Sequence, residues 1–223
     1  MKTQPVKIKV IEHATHDVLH MVTEKPKDID FVPGQATEMF LGKAGKDGEG
    51  NPFTFTCLPN EDHLEFMIKT YPSHKGLTNA LLKLKKGDEV ILNDVFGAIA
   101  YKGEGTFIAG GAGVTPFIAI LRDLRSKNKL GNNRLIFANK TKADIILKEE
   151  FEAMLGNNFV NILSDEKTDE YANGRITEAF IKKYNPELKG LFYVCGPPPM
   201  MDAVEEQLAH LKINENSIVK EAF

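Results

Sequence analysis

The sequence predicts two domains of different class: an antiparallel β-barrel over residues 1–102, then a parallel-sheet α/β domain over residues 103–223. Three observations predict it. Up to Tyr101, short β-rich segments are separated by regular turn signals, with one short helical stretch among them, the pattern of barrels and sandwiches. Past Tyr101, strand-like and helix-like segments alternate strictly, which implies a parallel sheet covered on both faces. The first unit of the second half is a strand, a glycine turn and a helix, running Thr106-Phe107-Ile108-Ala109-Gly110-Gly111-Ala112-Gly113-Val114-Thr115-Pro116. The boundary falls at Lys102-Gly103-Glu104-Gly105, which is rich in glycine and charge.

In the first half, Val6 to Ile11 alternates lysine with apolar residues, and Asp17 to Thr23 follows as a second strand. Pro33-Gly34 marks a turn, Thr37 to Leu41 reads as a strand, and residues 42–50 form a loop of glycines and charges. Phe53 to Leu58 alternates β-formers, and His63 to Tyr71 sets Leu64, Phe66 and Ile68 inward. A short helix spans Leu77 to Leu84 and ends at Gly87; Glu89 to Leu92 is the last strand of this half. In the second half, strands at 106–109, 134–138, 160–163, 191–195 and 217–220 alternate with helices at 116–127, within 145–155, at 176–184 and at 200–211.

The glycine turn is the first candidate site. Glycines let backbone approach a ligand, and the N-terminus of the following helix favours an anion such as a pyrophosphate. Thr115 suits an N-cap, and Pro116 suits the first helical turn. Gly111 and Gly113 fit the dinucleotide fingerprint, whereas Pro116 stands where its third glycine belongs. Strand–glycine–helix turns also serve packing alone, so the motif does not decide function by itself.

Bulk properties narrow the choices. The 223 residues can bury a substantial core. With 28 Lys and Arg against 31 Asp and Glu, the chain offers no electrostatic case for nucleic acid. No apolar run is long enough to span a bilayer, and Met1 to Val10 lacks the apolar core of a signal peptide. The two cysteines, Cys57 and Cys195, read as free thiols in a reducing compartment, so a cytoplasmic protein is expected. They cannot hold an all-cysteine iron–sulfur cluster, and six scattered histidines give no zinc spacing; no metal site is expected.

Four motifs in order resemble the ferredoxin–NADP reductase family, which joins a flavin-binding barrel to an NAD(P)-binding α/β domain. Gly110-Gly111-Ala112-Gly113-Val114-Thr115-Pro116 matches the family's G-G-x-G-x-T-P, proline included. Val194-Cys195-Gly196-Pro197-Pro198-Pro199-Met200 resembles its C-G-P-P-x-M. Asn51-Pro52-Phe53-Thr54 stands where the family has Arg-x-Tyr-Ser, and Glu221-Ala222-Phe223 resembles its C-terminal Glu-x-aromatic. The resemblance covers essentially the whole chain.

It implies a flavin oxidoreductase, in which hydride passes from nicotinamide C4 to flavin N5 and electrons go on to a separate acceptor. Thr54, Cys195, Glu221 and Phe223 are the implied catalytic set: Thr54 at flavin N5, Cys195 beside the nicotinamide, Glu221 on a proton path, Phe223 over the flavin. The implied flavin ligands are Asn51, Phe53, Thr54, Lys69, Gly76, Leu77, Thr78 and Phe223. FAD is expected over FMN. Asn51 replaces the arginine that grips the flavin phosphate with a charged fork, so either flavin binds more weakly or a nearby cation, Lys69 or Lys75, substitutes.

On the nucleotide side the resemblance implies Gly111, Gly113, Val114, Thr115, Pro116, Asn139, Ser164, Asp165, Gly196 and Pro197. NADPH-specific relatives carry Ser-Arg where this chain has Ser164-Asp165; a carboxylate there repels a 2′-phosphate and accepts from free ribose hydroxyls. NADH is therefore the expected substrate over NADPH, with Lys140, Lys142 and Lys167 as possible compensating charges. A ferredoxin, a flavodoxin or an oxygenase component is the acceptor the resemblance implies; small acceptors stay open. Two other readings are a subunit active only with a partner chain, and a nucleotide-binding module that has lost flavin, for which Asn51 speaks.

Overall fold

In the computed structural model, which describes residues 3–42, 50–73 and 75–221, the alternating segments of the first half form one antiparallel sheet. Its strands are β1 (Gln4–Thr15), β2 (Val18–Glu24), β3 (Ala36–Phe40), β4 (Asn51–Thr54), β5 (His63–Lys69) and β6 (Glu89–Phe96), ordered β4-β3-β6-β1-β2-β5. Alternation fills the interior: Val6, Ile8, Leu19, Met21, Leu64, Phe66, Ile68, Val90 and Leu92 are all buried. Beyond Thr54 the chain leaves β4 but keeps bonding. Phe55 N–H donates to Gln35 O (3.0 Å) and Thr56 N–H to Glu65 O (2.9 Å), so the run out of β4 reaches β5 and the outer strands of the sheet meet. Such closure removes unpaired edge groups. Phe55 then stacks on Phe31 (centroids 4.2 Å apart) and packs on Phe66 (5.4 Å). The helix α1 (Leu77–Leu81) is shorter than the sequence suggests.

The chain divides into two compact units, Met1–Ala100 with Thr115–Asp123 and Tyr101–Val114 with Leu124–Phe223. The helix α2 (Thr115–Ser126) therefore gives most of its length to the barrel unit. A part-buried charge knot holds it there. Arg122 Nη1 lies 2.7 Å from Glu65 Oε1 and donates to Thr56 O at 2.9 Å. The Thr56 hydroxyl donates to Glu65 Oε1 (2.8 Å), and His20 Nε2 lies 3.7 Å from Glu65 Oε2. Burial pushes the Glu65 carboxyl up, but His20, Arg122 and Thr56 together outweigh it and bring the group down to about 2. His20 is raised in turn, by Glu65 against the opposing effect of burial, and by Glu12.

The second unit is a parallel sheet of β7 (Gly105–Gly110), β8 (Arg134–Asn139), β9 (Phe159–Leu163), β10 (Ala172–Asn173), β11 (Leu191–Cys195) and β12 (Ile218–Val219), ordered β10-β9-β8-β7-β11-β12. Its helices are α3 (Lys148–Leu155), α4 (Glu178–Tyr184) and α5 (Pro198–His210). Ile108, Ile136, Val160, Ile162, Phe192 and Val194 form one apolar face, covered by Ile181 of α4 and Met201, Val204 and Leu208 of α5. The sheet grows from β7 through β8 and β9 on one side and through β11 on the other. That reversal is a topological switch point, where parallel sheets open a crevice at the carboxyl ends of their strands.

The glycine turn lies at that point as a 3-10 turn, Gly111–Val114, running straight into α2. Thr115 is thus the first residue of the helix and not the N-cap the sequence suggests; the 3-10 turn takes up the chain where a cap would stand. Gly111 has φ +52° and open space around it, so it is glycine for its backbone. Gly113 is glycine for lack of room: a Cβ there would overlap the carbonyl of Cys195 and come within 2.6 Å of Gly196 Cα. A Cβ on Gly110 would strike Met200 Sδ and lie 3.1 Å from Pro197 Cδ, and one on Gly196 would lie 3.0 Å from Met200 Sδ. The glycine turn and the Cys195–Met200 segment are one interlocked piece of backbone.

Two outcomes test this packing. Gly113→Ala is expected to destabilise the protein by about 1–3 kcal/mol, the usual cost of overpacking, read from the denaturation midpoint; an unchanged midpoint contradicts the interlock. Glu65→Gln is expected to cost about 1–3 kcal/mol at neutral pH, because it removes the carboxylate charge that the half-buried Arg122 and His20 face. Since Glu65 is depressed in the fold, its contribution is complete above about 4.5 and lost as pH falls toward about 2. The gap between the unaltered protein and Glu65→Gln should close over that window; a constant gap contradicts it.

Candidate functional site

Four strand ends bring one set of sequence-marked residues together. Register aligns Cys195 with Ala109, Gly110 with Ala138, and Asn139 with Leu163, so β11, β7, β8 and β9 end side by side. Gly111, Gly113, Val114, Asn139, Ser164, Asp165, Cys195, Gly196 and Pro197 therefore occupy one rim of the parallel sheet. Ser164 N–H donates to Asn139 O (3.0 Å) and Asp165 N–H to Lys140 O (2.9 Å), which ties the segments after β8 and β9 together. Thr115 and Pro116 follow directly in α2.

Asn139 carries the clearest sign of a binding role. Buried side-chain amides are normally bonded. Asn133 fits that rule: its Oδ1 accepts Gly105 N–H (2.9 Å), and its Nδ2 donates to Leu130 O (2.8 Å) and the Tyr101 hydroxyl (3.1 Å). Asn185 is bonded likewise to Thr106, Lys189 O and Lys189 N–H. Asn139 is as buried, at 7% exposure, yet among the described residues neither its Oδ1 nor its Nδ2 has a partner. Leaving such groups unmet costs about 1–3 kcal/mol each. On the same sheet face Asn161 Oδ1 is also unmet, one register step away beside Phe137. The donor and acceptor of Asn139 fit a polar ligand at the strand ends.

Cys195 is a neutral thiol. Burial, with the nearby charge of Glu221, pushes it up to about 12. It can pack against a flat ring and cannot serve as a thiolate at neutral pH. Glu221 is thus close enough to Cys195 to act on it electrostatically. Phe223 lies outside the described residues. Asp165 is exposed and accepts a hydrogen bond from the Ser164 hydroxyl (2.6 Å).

The second set belongs to the barrel unit. Asn51, Phe53 and Thr54 lie on β4 and are only half-buried, whereas Phe55, Thr56 and Cys57 just beyond are fully buried. This stretch offers an open face at one end of a packed core. Among the described residues the Thr54 hydroxyl has no hydrogen-bond partner. Gly76 precedes Leu77 and Thr78 at the start of α1 in extended conformation, and a Cβ there would meet nothing. The fold does not require glycine at that position, which fits a backbone kept clear for a ligand. Lys69 forms an ion pair with Asp17, so its charge is already met within the sheet; Lys75 is exposed.

Sequence reading passed over several groups. Arg122 and Glu65 meet across 57 residues of sequence, and no local signal announces that pairing. Asn161 carried a faint signal, one amide in the apolar run Phe159-Val160-Asn161-Ile162-Leu163. Glu170 gathers Lys142 and Lys148 beside the Ser164–Asp165 rim, and no motif marks it.

Known proteins match this arrangement. Residues 107–206 match the model of the oxidoreductase NAD-binding domain. The chain is 32% identical over 222 residues to NADH-cytochrome b5 reductase 2 of Mycosarcoma maydis, covering 88% of this chain and 62% of that protein. It is 28% identical to the reductase component of propane 2-monooxygenase from Mycolicibacterium smegmatis, covering 88% and 60%. The chain thus spans about three fifths of the length of these relatives. The CS-b5R domains of human Ncb5or, in an NAD+ form, superpose with a TM-score of 0.86 at 25% identity, over 99% of this chain and 70% of that one. A ferredoxin NADP+ reductase from Neisseria gonorrhoeae, with bound FAD and NADP, shares the fold with a TM-score of 0.85 at 19% identity, over 99% and 98% of the two chains. Motifs, strand order and relatives agree: residues 107–206 match an oxidoreductase NAD-binding domain, and the chain as a whole is similar to ferredoxin–NADP reductase-like and cytochrome b5 reductase proteins, which pair such a domain with a flavin-binding one.

Proposed function

We propose that this chain is an NADH-dependent flavin reductase that delivers electrons to a separate acceptor, with its flavin domain in residues 1–102 and its nucleotide domain in residues 103–223. The observation that carries this reading is Asn139, a buried amide with unmet donor and acceptor at the strand ends of a switch point. FAD, when bound, supplies the two-electron acceptor for the hydride and releases single electrons onward.

This chain's residues bind and align. Gly111 to Pro116 presents backbone amides and a helix start to a pyrophosphate. Asn139 meets polar groups of the dinucleotide, and Asp165 accepts from its ribose hydroxyls. Cys195, with Gly196 and Pro197, gives the nicotinamide a small neutral neighbour. Thr54 offers its hydroxyl to flavin N5, Phe53 a ring face, and Asn51, Gly76, Leu77 and Thr78 polar and backbone groups to the flavin's phosphates. Glu221 holds a proton-exchanging carboxyl near Cys195. Lys75, exposed and without the Asp17 pairing that occupies Lys69, is the better substitute for the missing arginine charge.

The reductase components and cytochrome b5 reductases among its relatives support a protein acceptor, an oxygenase component or a small electron-transfer protein. Among the described residues no helix is long and apolar enough to cross a membrane. We place the protein in the cytoplasm on its free thiols.

Steady-state turnover with ferricyanide tests the substrate. The expected kcat/KM favours NADH over NADPH, and Asp165→Ala should narrow the ratio; a ratio favouring NADPH and unmoved by Asp165→Ala contradicts the reading. Thr54→Val should keep its FAD and lose about tenfold in kcat, the worth of one hydrogen bond near 1.4 kcal/mol. A full rate in Thr54→Val removes Thr54 from the site. The Cys195 thiol should resist iodoacetamide at pH 8 in the folded protein, since it ionises only near 12. Rapid alkylation of Cys195 at that pH without unfolding contradicts its half-buried, neutral state.

A further inference from the structure

Beside the Ser164–Asp165 rim, two loops are stitched together by charge. The Lys142 backbone N–H donates to Glu166 Oε2 at 2.6 Å. Lys142 Nζ lies 2.6 Å from Glu170 Oε2, and Lys148 Nζ lies 3.1 Å from Glu170 Oε1. The Tyr171 hydroxyl also donates to Glu170 Oε1, at 2.8 Å, and both lysine ammoniums lie over the Tyr171 ring, at 5.8 and 5.5 Å from its centre. One carboxylate thus holds two lysines, and Lys148 also lies 3.6 Å from Glu152 Oε1 on its own helix. The same loops are joined at their roots by Ser164 N–H to Asn139 O and Asp165 N–H to Lys140 O. The lysines are therefore anchored beside the place where the proposed function puts the adenosine ribose.

A 2′-phosphate is a dianion, and its recognition needs lysine or arginine charge that is not already spent. Lys142 and Lys148 are such cations by position, but Glu170 occupies them, and Asp165 and Glu166 add further negative charge. An exposed pair is weak on its own. Here three groups converge on Glu170, with the Lys142 ammonium first, and hold its carboxyl down at about 2, so it stays ionised at every working pH. We infer that Glu170 is a specificity residue: by occupying Lys142 and Lys148 it denies a 2′-phosphate its cations and enforces the choice of the unphosphorylated dinucleotide. This rests on the proposed nucleotide site and extends it from Asp165, which acts by its own charge, to a second carboxylate that acts through two lysines.

The test is calorimetric titration of the purified protein with ADP-ribose and with 2′-phospho-ADP-ribose, in the unaltered chain, Glu170→Gln, and Glu170→Gln combined with Lys142→Ala and Lys148→Ala. Glu170 is exposed and Gln keeps its shape, so the fold should persist. The expected result is 2′-phospho-ADP-ribose bound about fivefold or more tightly by Glu170→Gln, ADP-ribose unchanged within about twofold, and the gain abolished in the triple variant. The ratio of kcat/KM for NADPH to NADH should rise in parallel. Equal 2′-phospho-ADP-ribose affinity in the unaltered chain and Glu170→Gln, with ADP-ribose still bound, overturns the role of Glu170 alone. A gain that survives in the triple variant overturns the role of the lysines. Failure of the unaltered chain to bind ADP-ribose overturns the nucleotide site itself, and this inference with it.

Discussion

Gly113 lies so close to the carbonyl of Cys195 and to Gly196 that no side chain fits between them. The rest of the nucleotide unit depends on that approach. It sets the end of β11 against the turn after β7, at the switch point of the sheet. Met200, on the first turn of α5, then fills the space over Gly110 and Gly196. Two sequence motifs that lie more than eighty residues apart are thus two halves of one packed joint. Gly111 alone in the turn is glycine for its backbone angle, and it faces open space where a ligand can approach. Packing and binding divide the glycines between them.

A second constraint is electrostatic. Glu65 is mostly buried, and a buried carboxylate needs cations and donors in place. Arg122, His20 and Thr56 supply them, and Arg122 comes from the helix that follows the glycine turn. That helix starts at a candidate anion site, and its residues Thr115–Asp123 belong to the barrel unit. The residues that fix the helix are therefore remote in sequence from the motif it serves. His20 adds to this knot with the opposite pH sense: its raised folded value gives stability that is complete below its usual 6.5 and fades as pH rises through the raised value.

The barrel strands were legible because each carries a period-two pattern, and the α/β half because apolar strands alternate with helical spacing. Where the reading differs, tertiary bonding is the cause. Phe55 to Cys57 look like continued strand; the structure turns them out of β4 to bond Gln35 and Glu65. Thr115 looks like a cap; a 3-10 turn feeds the helix without one. Asn133, Asn139 and Asn185 are the same residue type in similar polar contexts, and only the three-dimensional bonding separates the two satisfied amides from the unmet one. Lys69 looks like a phosphate cation until Asp17, fifty-two positions earlier, is found beside it. Such pairings follow from strand order, and no local spacing encodes them.

Asn51 in place of the family arginine makes flavin the most exposed part of the functional reading. The direct measurement is the visible absorbance spectrum of the purified protein, with added FAD if needed, before and after anaerobic NADH. A flavoprotein reductase shows bound flavin absorbance that bleaches on the addition of NADH. A protein that takes up no FAD, or whose bound flavin keeps its absorbance with NADH present, contradicts the proposal.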